Sequence, residues 1–119
     1  MVRNNSMRAN VQKIMQAWQN NKSARTPSLW TDGRVVYSYD MPIACTDKDG
    51  EILTIAIGYK GPSVTTSKHI GAVRGWIAIN CGNGVQETMP DVIKNCAKNT
   101  ELTFHEAWIM MDEPIKHGL

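Results

Sequence analysis

The sequence predicts an α+β fold: a small antiparallel hairpin or sheet packed against three to four helices, in a single domain over residues 1–119. Three observations point there. Val11, Ile14, Met15 and Trp18 recur at helical spacing, which places them on one stripe. Leu53, Ile55 and Ile57 alternate with Thr54, Ala56 and Gly58, the period of a half-buried strand. Thr88-x-x-Asp91 and Thr103-x-x-Glu106 resemble capping boxes that open two further helices. A chain of 119 residues, 42% hydrophobic, is long enough for one core and too short for two domains.

The first stripe predicts a helix over residues 7–20, with Arg8, Gln12, Lys13, Gln16 and Gln19 on its other faces. Residues 23–32 read as a connection, because Pro27 denies a helix and Asp32-Gly33 favours a turn. Residues 34–39, rich in Val and Tyr, read as a strand. Pro42 cannot donate to a sheet ladder, so residues 42–45 read as a piece of a bent edge strand. Asp47-Lys48-Asp49-Gly50 is a hairpin turn, and residues 51–59 return as a strand.

Gly61-Pro62-Ser63 breaks the sheet. Thr65, Thr66 and Ser67 then offer caps for a helix over residues 68–79, whose Ile70, Val73 and Ile77 face inward. Gly71 and Gly75 cost that helix about 1 kcal/mol each relative to Ala and are expected to admit a neighbouring backbone. Residues 80–84 form a second turn. Helices follow over residues 90–97 and 104–111, the latter also readable as a strand. The expected core is Val11, Ile14, Trp18, Ile43, Leu53, Ile55, Ile57, Ile70, Val73, Val92, Ile93 and Trp108.

No apolar run approaches the roughly 20 residues that span a bilayer, and the polar, basic start is not expected to be a secretory signal. Cys45, Cys81 and Cys96 lie in no C-x-x-C pair, so they read as small apolar thiols in a reducing compartment. His105-Glu106 lacks the second histidine of a zinc-binding helix, since position 109 is Ile. No metal, no cofactor and no catalytic residue is expected; nothing in the spacing favours a nucleophilic pair of Cys81 or Cys96 with His69 or His105, and structural thiols are far commoner.

The net charge of +2 is small, yet residues 1–31 and 52–86 hold no acid at all. If these two blocks met on one face, Arg8, Lys13, Lys22, Arg25, Lys60 and Arg74 would form a phosphate-binding surface, with Trp30 or Tyr59 to stack on bases. The second block contains the residues with the clearest chemistry. A helix start exposes backbone N–H groups and a positive dipole, and Thr65, Thr66, Ser67, Lys68 and His69 add hydroxyls and charge there. They form the candidate anion site.

Tyr37-Ser38-Tyr39-Asp40-Met41-Pro42-Ile43-Ala44, the hairpin behind it and Ser63-Val64-Thr65-Thr66-Ser67-Lys68-His69-Ile70 together resemble a family of short uncharacterised proteins of bacteriophages and archaeal viruses. The similarity covers roughly residues 23–76. Met41 stands where that family usually carries a small hydroxyl residue. The resemblance implies a viral accessory protein in the host cytoplasm, with a hairpin-plus-helix core and no assigned activity.

Three functions follow as expectations. The first is a non-enzymatic protein that binds nucleic acid or another polyanion. The second is a viral inhibitor that binds a host protein through Met and Trp, with a homo-oligomer as one form it could take. The third is a nucleotide-binding or nucleotide-sequestering protein. None involves a membrane.

Overall fold

The computed structural model describes residues 2–56, 62–81 and 85–117, with side chains described over 9–56, 62–81 and 85–110. Four helices and six strands follow one another as α1 (Val2–Gln19), β1 (Ala24–Arg25), β2 (Leu29–Thr31), β3 (Val35–Ser38), β4 (Met41–Thr46), β5 (Ile52–Ile55), α2 (Val64–Asn80), β6 (Val85–Thr88), α3 (Pro90–Lys98) and α4 (Phe104–His117). The strands form one sheet in sequence order. β1 to β5 are an antiparallel meander; β6 returns through α2 and pairs with β5 in parallel.

Cross-strand register assigns the two sheet faces. Leu29 and Thr31 lie opposite Ser38 and Val36, and Val36 lies opposite Ala44, which lies opposite Thr54. This face is covered by α1 and α2. Val35, Cys45 and Leu53 line the other face, where α3 packs and Cys96 lies against Cys45. The Cys96 contact and burial push the Cys45 thiol up. Val11, Ile14, Met15 and Trp18 are buried, as their helical spacing implies, and Trp18 Nε1 donates to the Arg34 carbonyl at 2.8 Å.

Beyond the reach of α3, the second face carries a row of side chains at the β1–β3 end. The Arg25 guanidinium lies 4.5 Å from the Trp30 ring centroid, and Trp30 stacks on Tyr37 with centroids 4.1 Å apart.

Several sequence expectations need correction. Residues 23–32 are not only a connection, because β1 and β2 lie within them. Thr26 bonds Leu29 through both backbone and hydroxyl, so Pro27 marks the tight turn of a hairpin. The strand with Pro42 is not at the edge; it runs between β3 and β5. A bulge opposite Val36 and Tyr37 makes room for the proline, whose missing N–H the broken ladder does not require.

α2 starts at Val64, capped by Ser63, so Thr65, Thr66 and Ser67 are first-turn residues and not the cap. α3 is entered through Met89 with no side-chain cap bond; Thr88 is spent as the last residue of β6. The second capping box does form: Glu106 N donates to Thr103 Oγ1 at 3.1 Å and Thr103 N to Glu106 Oε1 at 3.0 Å. Trp108 is 42% exposed and not core. A Cβ at Gly71 or Gly75 would meet nothing within 4 Å, so neither admits a neighbouring backbone among the described residues. Ile57, Tyr59 and Lys60 lie outside the described residues, and the Arg8 side chain lies outside those described.

Candidate functional site

The one parallel strand pair has a geometric consequence. β5 leads into α2 on one face of the sheet, and β6 leads into α3 on the other. Their carboxyl ends therefore lie beneath two helix starts on opposite sides, the arrangement in which open α/β sheets form ligand crevices. A cleft of about 920 Å³ lies there. Its walls are the β3–β4 turn (Ser38, Tyr39, Asp40, Met41), the start of α2 (Ser63, Thr65, Thr66) and the start of α3 (Met89, Asp91, Lys94).

Below the cleft the hydroxyls are joined. Ser63 Oγ accepts from Thr66 N at 3.1 Å, closing the N-cap, and lies 3.1 Å from Thr66 Oγ1. Ser38 Oγ lies 3.0 Å from Thr66 Oγ1 and 2.7 Å from His69 Nδ1. Ser38, Thr66 and His69 are all buried. Desolvation lowers the His69 pKa below 6.5, so the imidazole is held neutral. A serine this close to a histidine suggests a nucleophile, but Ser38 is only 1% exposed and no carboxylate orients the ring among the described contacts. The chain of hydroxyls fixes the helix start against the β3–β4 turn.

That turn is itself unusual. Tyr39 has φ 55° at the first position of a two-residue hairpin, where glycine is the ordinary occupant. Trp30 Nε1 donates to the Tyr39 carbonyl at 2.7 Å, and Tyr39 N donates to the Ser28 carbonyl at 2.8 Å. These bonds hold the strained backbone, and the Tyr39 ring stands 48% exposed at the cleft rim.

The expected anion residues therefore separate. Thr65 and Thr66 line the cleft, whereas His69 is buried beneath it, Ser67 is half-buried in the first turn and Lys68 points to solvent. Lys94 supplies a cation at the cleft that the sequence reading missed. Among the described residues, none of the cations expected to hold phosphates lines this cleft. Lys13 and Lys22 are exposed on and just beyond α1, Arg25 lies on the opposite sheet face over Trp30, and Arg74 is ion-paired with Glu87. Trp30 carries Arg25 and Tyr37 against its ring and has no open face for a base. Ser63, the actual N-cap, was passed over in the sequence for Thr65, Thr66 and Ser67; Tyr39 and Lys94 carry no sequence signal, since only the fold brings them to the cleft.

Residues 5–87 match a family of unknown function, DUF8033. The chain belongs to that family. The DUF8033 match runs through α1 and stops one residue short of the end of β6. It therefore contains the whole Ser38–Thr66–His69 network and excludes the α3 wall with Asp91 and Lys94. No curated protein and no solved structure matches the chain. No helix among the described residues is long and apolar enough to cross a membrane, and no group of three or more potential metal ligands occurs among them.

Proposed function

We propose that the protein is a non-enzymatic binding protein whose cleft takes a nucleoside monophosphate. The observation that carries this reading is the convergence of two helix starts on one cleft at the ends of β5 and β6. Each helix start contributes roughly half a positive charge, and Lys94 adds one more. Asp40 and Asp91 oppose them from the same walls, so the cleft is close to neutral and suits a singly phosphorylated group better than a triphosphate. The phosphate would sit against the Ser63–Thr66 turn and Lys94. The base would lie against Tyr39, whose strained backbone is the kind of outlier that clusters at ligand clamps.

The polyanion reading has less support, because Arg74 is neutralised and Arg25 lies on the other face of the sheet. Calorimetric titration with AMP, ATP, adenosine and inorganic phosphate tests the proposal. AMP is expected to bind more tightly than ATP or adenosine, and Lys94→Glu to weaken it about tenfold or more through lost charge. Lys116→Glu, a change of equal charge in an acidic stretch, is the control. Equal losses in the two variants, or no AMP binding, would reject the nucleotide site. Tight binding of DNA or RNA with a steep salt dependence, abolished by changes at Lys13 and Lys22, would favour the polyanion surface in its place.

A further inference from the structure

β6 is the last strand of the sheet, and among the described residues nothing pairs with its outer side. Ala56 N donates to the Thr88 carbonyl, so Thr88 and, by alternation, Gln86 direct their backbone groups toward β5. Val85 and Glu87 accordingly direct N–H and C=O outward, leaving an open ladder. Beside that edge runs α2, with Gly71 and Gly75 on its exposed side. An added Cβ would meet nothing at either. Two exposed glycines weaken a helix, and no contact among the described residues compensates.

Between the glycines and β6 lies a groove of about 250 Å³, floored by Thr54 and flanked by Arg74 and Glu87. Thr54 is only 2% exposed, and among the described residues its Oγ1 has no hydrogen-bond partner; nor has the buried Nε of Arg74. Buried polar atoms are ordinarily paired, and each exception needs an explanation. A third such atom, Thr88 Oγ1, lies outside the groove; the groove brings the other two together with the side-chain-free strip of α2 and the open strand edge.

We propose that this groove binds an extended segment of a partner protein by strand addition to β6, and takes one asparagine or glutamine side chain down beneath Gly71 and Gly75. The backbone of the segment would pair with Val85 and Glu87, which gives affinity without sequence preference. Specificity comes from the floor. Arg74 Nε and Thr54 Oγ1 offer two donors to a carbonyl oxygen, and the Glu87 carboxylate offers an acceptor to an amide NH₂. A side-chain amide is the neutral group that carries both. A carboxylate would meet Glu87 as a like charge, and an aliphatic side chain would leave the polar atoms unpaired. The groove is separate from the cleft at the other end of α2, so it does not depend on nucleotide binding.

The test is a nuclear magnetic resonance titration of the ¹⁵N-labelled full chain with the acetylated, amidated peptide Thr-Val-Thr-Asn-Thr-Val-Thr and its analogue with Leu at the centre. Amide shifts are expected at Val85, Glu87, Gly71 and Gly75, with the Leu peptide bound about tenfold more weakly, a typical cost for unpaired polar groups. Gly75→Leu fills the strip at an open helix position and should abolish binding. Thr54→Val keeps the shape of the floor and should reduce the preference for Asn over Leu. Equal affinity for both peptides, shifts confined to other elements, or undiminished binding by Gly75→Leu would overturn the proposal. So would the same shifts appearing on raising protein concentration alone, because the occupant would then be a second copy.

Discussion

Two clusters of buried polar groups lie beneath the same helix and differ in one respect. At the start of α2, Ser63, Thr66, Ser38 and His69 satisfy one another within 3.1 Å. Two turns along, Thr54 Oγ1 and Arg74 Nε have no hydrogen-bond partner among the described residues. Both clusters sit between α2 and the sheet face that includes Ala44 and Thr54, and both are closed by side chains from distant parts of the chain. Completed networks specify a unique packing, because breaking any member leaves the others buried and unpaired. An incomplete one costs free energy in the isolated chain, and that cost is relieved when a ligand supplies the missing group. The first cluster thus holds the fold together, and the second leaves two buried polar atoms unpaired among the described residues.

The largest expected effect comes from breaking the complete cluster. Ser38→Ala removes the atom shared by Thr66 and His69 and should destabilise the protein by about 1–3 kcal/mol; a loss below about 0.5 kcal/mol in denaturant melts would show that water replaces the hydroxyl without penalty. The same cluster gives a pH dependence with a definite sign. The folded pKa of His69 lies below its ordinary 6.5 because burial disfavours the charged ring. Its contribution to stability is therefore complete above 6.5 and is lost as pH falls through the folded value. His69→Gln should flatten the stability curve in that window, and an unchanged curve would remove His69 as its cause.

A smaller effect is expected at the turn joining this cluster to the cleft. Tyr39→Gly relieves a left-handed backbone worth roughly 1 kcal/mol, so thermal melts should show equal or higher stability while AMP binding weakens. A less stable variant would mean that ring packing outweighs backbone relief. The smallest effect belongs to the incomplete cluster. Thr54→Val should change stability by no more than about 0.5 kcal/mol, or raise it slightly, since no hydrogen bond is lost. A loss of 1 kcal/mol or more would reveal a partner for that hydroxyl and erase the contrast with Ser38.

Local pattern in the sequence carried the parts of the fold governed by local physics. The stripe of α1, the alternation of β5 and the reciprocal Thr103–Glu106 cap are settled within one or two turns of chain. β1, β2 and β6 escaped because two to four residues are too few to show a period, and their pairing partners decide them. Trp108 fits a helical stripe with Phe104 and Ala107, yet α3 covers only part of α4, and a period does not state how wide the covered sector is. At the site, the hydroxyl-rich helix start was legible because capping chemistry is local. Tyr39, Asp91 and Lys94 were not, because they approach that start only through the β5–α2–β6 crossover.

That crossover also orders the assembly of the molecule in time. Ala44 and Thr54 pair across ten residues, whereas Ile55 and Thr88 pair across thirty-three. Closing the longer loop costs more chain entropy, and its contacts cannot form until α2 has folded back along the sheet. β6 is therefore expected to join last during refolding and to open first in the native protein, with its amides exchanging faster than those of β3 and β4. A strand that leaves and returns on its own exposes the edge of β5 that faces away from β4, and every departure empties the groove. How often the segment Val85–Thr88 exchanges its amide protons thus sets an upper limit on how long anything paired with it can stay.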